Sequence, residues 1–297
     1  MKKIMKSNPL ISIVMPVYNG TDYLAHAVES ILNQTYKNIK FIIIDDASTD
    51  DSYSILKRYA KKYPKKITLL KNCHNHNSAN AVSKAIAKAK GEFLARMDAD
   101  DISLPNRLEK QLLYLQKHTK TVAVGTQCLL IDKQNAIIGE KTFPTNFAAI
   151  YKYIYSFCPI QQPTLMIATK RLPKNFSYYH HHTPVAEDLE LLFSLFRHGE
   201  VENLPDYLHM YRLHDNNTSL QNMRQTFLIT LQARIRGITD YGYRPTPKGV
   251  AMSILQFIPV LILPQRVTSW LYKVTRNMYP MHFTIRDSLS LEISKVL

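Results

Sequence analysis

The stretch Phe93-Leu94-Ala95-Arg96-Met97-Asp98-Ala99-Asp100-Asp101 passes from a short apolar run directly into a cluster of three carboxylates. An apolar run of this kind is typical of a buried strand, so the carboxylates lie where the strand becomes a loop. Ligands of open α/β sheets bind at these carboxyl ends of the strands. Crowded acidic side chains are costly unless a cation neutralises them, and hard divalent ions prefer oxygen ligands. The stretch therefore predicts a metal that holds a diphosphate.

A simpler interpretation of these carboxylates is a solvated acidic turn followed by a helix cap. Leu104-Pro105 would then start a helix whose apolar face carries Leu108, Leu112 and Leu115. For a bare D-x-D pattern this interpretation would be favoured, because acidic turns are common. The rest of the chain decides between the two.

Length and composition indicate one large domain or two closely joined ones. The chain has 297 residues, 45% of them hydrophobic, which is enough to bury a substantial core. Its three cysteines form no C-x-x-C pair, which predicts a reducing compartment and argues against disulfides and structural zinc. Residues 1–10 are basic and lack the apolar core of a secretory signal. We therefore expect a cytoplasmic protein.

The net charge of +15 suggests an anionic partner. The lysines are scattered over many segments, and no RNP-like, zinc-finger or helix-turn-helix pattern is found, so nucleic acid is not expected. A phosphorylated substrate or an anionic lipid is the better match. No stretch offers the ~20 continuous apolar residues of a membrane-spanning helix.

Strand and helix patterns alternate along the first hundred residues. The apolar strand runs are Ile11–Met15, Phe41–Ile44, Ile67–Leu70 and Phe93–Ala95. Segments with helical spacing separate them, which predicts a Rossmann-like α/β fold with a mostly parallel sheet and helices on both faces. No G-x-G-x-x-G or P-loop pattern follows the first strand, so dinucleotide dehydrogenases and P-loop enzymes are disfavoured. A metal held by aspartates is then the expected way to bind a diphosphate.

Six motifs, in order over residues 11–214, resemble those of the bacterial inverting glycosyltransferases of family 2. They are ISIVMPVYNG (11–20), VESILNQTY (28–36), FIIIDDASTD (41–50), GEFLARMDADDISLPNR (91–107), AEDL (186–189) and YRLH (211–214). The resemblance implies the A-type nucleotide-sugar fold over residues 1–220. It divides this region into a nucleotide-binding half (1–101) and an acceptor half (102–220), followed by a C-terminal helical segment (221–297).

The resemblance also implies roles for single residues. A nucleotide-sugar donor would contact Pro16, Tyr18, Asn19, Asp46, Ser48, Asp98 and Arg212, with Asp46 accepting from a uracil ring. A divalent metal, Mn2+ or Mg2+, would be held by Asp100 as direct ligand, with Asp98 and His214. Simpler alternatives are a helix-capping role for Asp46 and a loop histidine bonded to backbone for His214. Three roles are possible for Asp101: support of the metal site, contact with the acceptor, or a helix cap.

A second carboxylate pair, Glu187 and Asp188, comes at the start of a helix whose apolar spacing includes Leu189, Leu192 and Phe193. Carboxylates are favoured at a helix N-terminus in any case, and without the other motifs that interpretation would be preferred. By the resemblance, Asp188 is the general base and Glu187 the reserve.

Some segments depart from the family pattern. Gln161-Gln162-Pro163 stands where relatives often have a His-Pro pair, and Cys73-His74-Asn75-His76-Asn77 replaces a Gly-rich stretch. His74 and His76, like the run His180-His181-His182, have a metal-compatible spacing, but solvated loops are the more common setting. Contact of the second run with the acceptor is a hypothesis.

Pro245 and Pro247 mark a linker before an apolar run at 250–263. Beyond it, Val267, Trp270, Leu271 and Val274 share one helical face, flanked by Arg266, Lys273 and Arg276. This pattern predicts that residues 250–277 lie in the plane of an anionic membrane as a peripheral contact. A core helix or a dimer interface is the alternative.

Together these features predict a metal-dependent, inverting hexosyltransferase that transfers a sugar from a nucleotide sugar, with a UDP-sugar favoured, by a single displacement. The acceptor would be a cell-envelope glycan, such as lipopolysaccharide, or a lipid-linked oligosaccharide at the cytoplasmic face of the inner membrane. Two rivals are a nucleotidyltransferase acting on a sugar phosphate and a non-catalytic membrane scaffold with a transferase-like fold. The intact acidic and YRLH motifs argue against the scaffold.

Overall fold

The computed structural model describes residues 8–76, 78–179, 186–214, 223–264 and 267–268. Within these residues one sheet of nine strands runs through the molecule. The strands are β1 Ile11–Val17, β2 Ile39–Asp45, β3 Ile67–Lys71, β4 Phe93–Arg96, β5 Ile102–Ser103, β6 Thr121–Ile131, β7 Ile137–Lys141, β8 Met166–Ala168 and β9 Glu200–Arg212. All four predicted strands are present.

The strand order is β3-β2-β1-β4-β8-β6-β9-β5, with β7 paired to β6. Strands β1 to β4 pair in parallel, as the apolar runs predicted. The second half of the sheet is mixed, because β8 lies antiparallel between β4 and β6, while β6 and β9 are parallel. A single sheet thus joins the two predicted halves of the chain.

Helices cover both faces of the sheet. They are α1 Leu24–Leu32, α2 Ser52–Lys62, α3 Ser78–Ile86, α4 Arg107–Lys117, α5 Phe147–Tyr153, α6 Glu187–Phe196, α7 Met223–Thr239 and α8 Pro247–Ile262. Alternate residues of β1 point to opposite faces: Ile13 and Met15 pack with α1, α2 and α4, whereas Val14 packs with α3 and α6. Both faces are buried, which explains why the strands are apolar throughout.

Spacing explains the buried face of helix α4, and local contacts explain the start of helix α1. Helix α4 carries Leu108, Leu112 and Leu115, all fully buried, as their spacing predicted. Helix α1 begins after Tyr23 without a side-chain cap, although Thr21 and Asp22 precede it. The Thr21 hydroxyl donates instead to Asp50 Oδ2 at 2.6 Å, so it joins the loops after β1 and β2.

Helices α7 and α8 pack on each other, with the Phe227 and Phe257 ring centroids 5.5 Å apart. The buried Arg234 links them by donating to Ser253 Oγ at 2.8 Å. Helix α8 occupies most of the apolar run at 250–263, while 265–266 and 269–277 of the predicted membrane segment lie outside the described residues. No described helix is long and apolar enough to cross a bilayer.

Candidate active site

The loops after β1 and β2 are bound to each other at the carboxyl edge of the sheet. Ser48 Oγ accepts from the Asn19 backbone N–H at 3.1 Å, and Asn19 Oδ1 accepts from Thr49 N–H at 2.8 Å. Asn19 and Ala47 both adopt left-handed backbone, with φ of 50° and 62°. This conformation is unfavourable for alanine and is retained only where surrounding contacts impose it. The two loops form a rigid rim, from which the Tyr18 side chain stands out 52% exposed.

Asp46 lies at the base of this rim, almost completely buried. Its Oδ1 accepts from Asn72 Nδ2 at 2.6 Å and its Oδ2 from the His76 backbone N–H at 3.1 Å. Asn72 Oδ1 in turn accepts from Lys84 Nζ at 2.8 Å, which fixes the orientation of the amide. A cavity of about 500 Å³ opens beside these residues, lined by Ala47, Ser48, Lys71, Asn72 and Cys73.

Asp98 follows β4 on the same edge of the sheet. The buried Arg96 donates to Asp98 Oδ1 at 3.1 Å. Burial raises the pKa of Asp98 above its usual range; Arg96 opposes the rise and the Asp100 carboxylate adds to it. The Asp98 carboxylate therefore lies where a further positive charge would be stabilising.

Asp100 and His214 meet across the sheet edge, with Oδ2 and Nε2 2.8 Å apart and both side chains partly exposed. Arg212 Nε donates to the Asp100 carbonyl oxygen at 2.7 Å, and its guanidinium lies over the Tyr23 ring at 4.5 Å. Arg212 is fully buried. Its contacts hold the loop that carries Asp100.

The side chains of Asp100 and His214 fit a divalent metal, because a carboxylate and an imidazole already lie in contact. In the part of the chain that the structure describes, no third His, Cys, Asp or Glu completes a metal-binding group with them. Ions such as Mg2+ commonly bind one or two carboxylates and take their remaining ligands from water and substrate phosphates. The donor set thus suits an ion that arrives with a diphosphate.

Asp101 points away from the cleft into a fully buried network. His209 Nε2 lies 2.8 Å from its Oδ2, and Arg212 N–H donates to Oδ1 at 2.9 Å. His209 Nδ1 lies 3.1 Å from Arg107 Nη1, which can only donate, so Nε2 carries the proton. Burial and Arg107 hold the pKa of His209 well below its usual range, in agreement with a neutral ring. Both Asp101 oxygens accept, as in an ionised carboxylate, although burial raises the pKa of Asp101.

This network shows Asp101 in a supporting position, because its buried carboxylate ties the loop that carries Asp100 to His209 and Arg212. Sequence reasoning missed Arg107 and His209. Arg107 begins a helix with a leucine face and His209 stands between Leu208 and Met210 in β9, so neither stands in a recognisable pattern. The signal available was the position of Arg107 at the end of the GEFLARMDADDISLPNR motif.

The first turn of helix α6 carries the second pair of carboxylates, Glu187 and Asp188. Its cap residue Ala186 has left-handed backbone with φ of 64°. Asp188 Oδ1 accepts from Leu189 N–H at 2.9 Å, and its Oδ2 accepts from Cys158 Sγ at 3.2 Å. Burial, and after it the Asp188 charge, raise the pKa of Glu187 to about 7.

Tyr179 lies under the influence of both groups of carboxylates, Asp98 after β4 and Glu187 and Asp188 on α6. Burial raises its pKa to about 12; Arg96 opposes this rise, whereas Glu187, Asp98 and Asp188 add to it. Because these charges all act on one phenol, the three carboxylates lie in the neighbourhood of Tyr179. The structure thereby brings the carboxylates after β4 together with those of α6. Residues 180–185, including the histidine run and Thr183–Val185, lie outside the described residues.

Comparisons with a family profile and with known proteins agree on one family, the glycosyltransferases. The sequence profile of glycosyl transferase family 2 matches residues 12–171. An uncharacterised glycosyltransferase of Haemophilus influenzae is 31% identical over 223 residues, which cover 72% of this chain and 69% of that protein. EpsE of Bacillus subtilis is 43% identical over 141 residues, covering 48% of this chain and 50% of EpsE.

Solved structures share the fold at low sequence identity. S. aureus TarS 1–349 in complex with UDP-GlcNAc superposes with a TM-score of 0.60 at 15% identity, covering 93% of this chain and 94% of TarS 1–349. The mannosyltransferase PcManGT of Pyrobaculum calidifontis, in complex with GDP-Man and Mn2+, gives a TM-score of 0.58 at 15% identity and covers 92% of this chain and 87% of PcManGT.

Proposed function

The chain belongs to glycosyl transferase family 2, and from this premise we propose that it transfers a hexose from a UDP-sugar to a hydroxyl of a cell-envelope glycan or a lipid-linked acceptor, with inversion. The observation that carries the proposal is the placement of two groups of carboxylates near Arg96 and Tyr179. The charges of Asp98, at the donor edge, and of Glu187 and Asp188, on α6, all act on Tyr179. A single displacement needs these two groups on opposite sides of one sugar.

Asp46 is the proposed contact for the nucleobase. Asn72 and His76 hold its carboxylate in one orientation beside the cavity, and a carboxylate has lone pairs for a further donor. An imide N–H of uracil is such a donor, whereas adenine and cytosine present no N–H at that ring position. UDP complexes of TarS, which shares the fold, are in line with this choice.

Asp100 and His214 are the proposed metal ligands, with Asp98 close enough to contribute charge. A bound Mn2+ or Mg2+ would screen the negative charge that grows on the leaving diphosphate. Arg212, Asp101 and His209 keep Asp100 in place. The protein thus supplies a preorganised carboxylate and imidazole at the edge of the sheet.

Asp188 is the proposed general base. Its Oδ1 accepts from the Leu189 backbone N–H, and Oδ2 is the proposed oxygen for the acceptor proton. The base takes the proton of the acceptor hydroxyl as this oxygen attacks the anomeric carbon, the bond to the diphosphate breaks, and UDP leaves. An α-linked donor then gives a β-glycoside. Glu187, with its pKa near 7, is the reserve base.

The acceptor side is proposed to lie at an anionic membrane, on the cytoplasmic face. Helix α8 exposes Ile254 and Leu255 at 58% each and Ile262 at 73%. Lys248, in the first turn of α8, is also exposed. Apolar side chains with flanking lysines are typical of a helix that lies in the lipid interface.

A donor screen by thermal shift tests the proposal. One UDP-sugar with Mn2+ or Mg2+ should raise the melting temperature, since ligands that bind only the folded state stabilise it. The Asp100→Ala variant should lose the metal-dependent part of this shift. Asp188→Asn should keep the shift but lose at least about a hundredfold in donor turnover, typical of a removed base. Stabilisation by a nucleoside triphosphate with release of diphosphate would instead identify a nucleotidyltransferase.

A further inference from the structure

Cys158 lies against the carboxylate proposed as general base. Its Sγ is 3.2 Å from Asp188 Oδ2 and also 3.2 Å from the carbonyl oxygen of Ile160. A thiol carries one proton, so it can donate to only one of these acceptors at a time. The thiol therefore has two alternative hydrogen bonds at equal distance.

The segment around Cys158 is held by its backbone. Asn203 Nδ2 donates to the Pro159 carbonyl oxygen at 3.0 Å and to the Pro144 carbonyl oxygen at 2.7 Å. Ile160 is buried at 3% exposure. Because the neighbouring residues are fixed, the position of the sulfur is set by the fold, and Cys158 itself remains partly exposed.

Among the described residues, the two oxygens of Asp188 have different hydrogen-bond donors. Leu189 N–H occupies Oδ1, which leaves Oδ2 as the oxygen that can receive a substrate proton. The thiol donates to this same oxygen. An incoming hydroxyl that donates to Oδ2 competes with a weak S–H donor, and the displaced thiol has the Ile160 carbonyl within reach.

We infer that Cys158 is a positioning residue for the proposed general base. In the free enzyme its thiol donates to Asp188 Oδ2 and keeps the carboxylate oriented towards the acceptor space. When the acceptor hydroxyl binds, the thiol turns to the Ile160 carbonyl oxygen and leaves Oδ2 to the substrate. The Cys158 proton is not transferred in either state. The inference rests on the proposed function, since it requires Asp188 to act as the base.

Kinetics of donor hydrolysis test this role, with water as acceptor and the UDP-sugar that gives the largest thermal shift. The Cys158→Ala variant should lower kcat by about three- to tenfold, because an S–H bond to a charged group is modest. The KM for the donor and the thermal shift by UDP with Mn2+ should stay within about twofold. Cys158→Ser keeps a donor at the position and should recover most of kcat. Full activity in Cys158→Ala, or equal losses in both variants, would overturn the inference.

An infrared spectrum gives a readout independent of turnover. The S–H stretching band of Cys158, obtained as the difference between wild type and Cys158→Ala, should move to higher frequency in Asp188→Asn, because an amide oxygen is a weaker acceptor than a carboxylate. An unmoved band would contradict the hydrogen bond itself. A band that moves in an Asp188→Asn protein with normal turnover would instead reject Asp188 as the base.

Discussion

At the scale of single residues, the candidate site is short of positive charge. Burial raises the pKa of both Asp98 and Glu187, and Arg96 is the cation that opposes the rise at both positions. Arg96 itself is buried, so its charge is poorly screened by solvent. The site is therefore arranged to gain stability when a cation or a proton is added, as the proposed metal binding requires.

The raised pKa of Glu187 predicts a pH-dependent cost to stability. The folded state binds this proton more tightly than the unfolded state, so Glu187 contributes stability below about pH 4.5. That contribution is lost as the pH rises through about 7. Glu187→Gln removes the titration, so the variant should gain on wild type between pH 5 and pH 8. At about 1.4 kcal/mol per pKa unit, the gain is at most a few kcal/mol.

Urea unfolding of wild type and Glu187→Gln at several pH values measures this difference. Glu109→Gln is the control, because Glu109 is a half-buried carboxylate at the start of another helix, α4, where it accepts from Thr35 Oγ1 at 2.7 Å. A stability difference for Glu187→Gln that changes no more between pH 5 and pH 8 than that of Glu109→Gln would show that the carboxyl is not raised.

At the scale of elements, buried polar contacts connect segments that are far apart in sequence. Asp101 follows β4 and His209 lies in β9, yet their side chains meet at 2.8 Å with no exposed surface. The pairing of β5 with β9, Ser103 opposite His209, holds the same segments through the backbone. The loop that carries Asp100 is thus fixed to the strand that carries Arg212 and leads to His214.

Removal of His209 should be strongly destabilising. His209→Ala leaves Asp101 and Arg107 buried with one partner fewer, and breaking a buried charged contact costs about 3–5 kcal/mol. Asp206→Asn is the matched control on β9, because its ion pair with Lys110 is 38–40% exposed. Such surface pairs contribute about 0–1 kcal/mol. Denaturant unfolding should separate the two variants, and equal, small losses would contradict a structural role for the network.

The strands and helices could be predicted from the sequence better than the contacts between them. Periodicity was sufficient for β1 to β4 and for the leucine face of α4, because each depends on local spacing and burial. The antiparallel position of β8 between β4 and β6 was not predicted, since three apolar residues carry no direction. The carboxylate motifs were visible, but the contacts of Arg107, His209 and Cys158 were not. These contacts join distant segments, and only the folded chain brings them together.

At the scale of the whole molecule, basic charge and an exposed apolar surface lie on one protein. The net charge is +15, and α8 presents apolar side chains to solvent while its other face packs on α7. Exposed apolar patches on a protein surface usually mark a contact. Anionic lipid would satisfy both features, since each basic residue near such a surface adds about 1 kcal/mol.

Vesicle binding tests this contact with the full chain. The Ile254→Ser/Ile258→Ser variant should bind vesicles of anionic phospholipid at least about tenfold more weakly than wild type, because burying each isoleucine in lipid is worth about 1.5–3 kcal/mol. Both side chains are well exposed, at 58% and 46%, so the fold should be unaffected. Lys57→Gln/Lys61→Gln, on the exposed face of α2, is the control and should keep nearly wild-type binding, because those lysines lie on a different helix. Equal binding by wild type and the isoleucine variant, or wild-type binding that is as strong to neutral as to anionic vesicles, would reject an anionic membrane as the partner of α8.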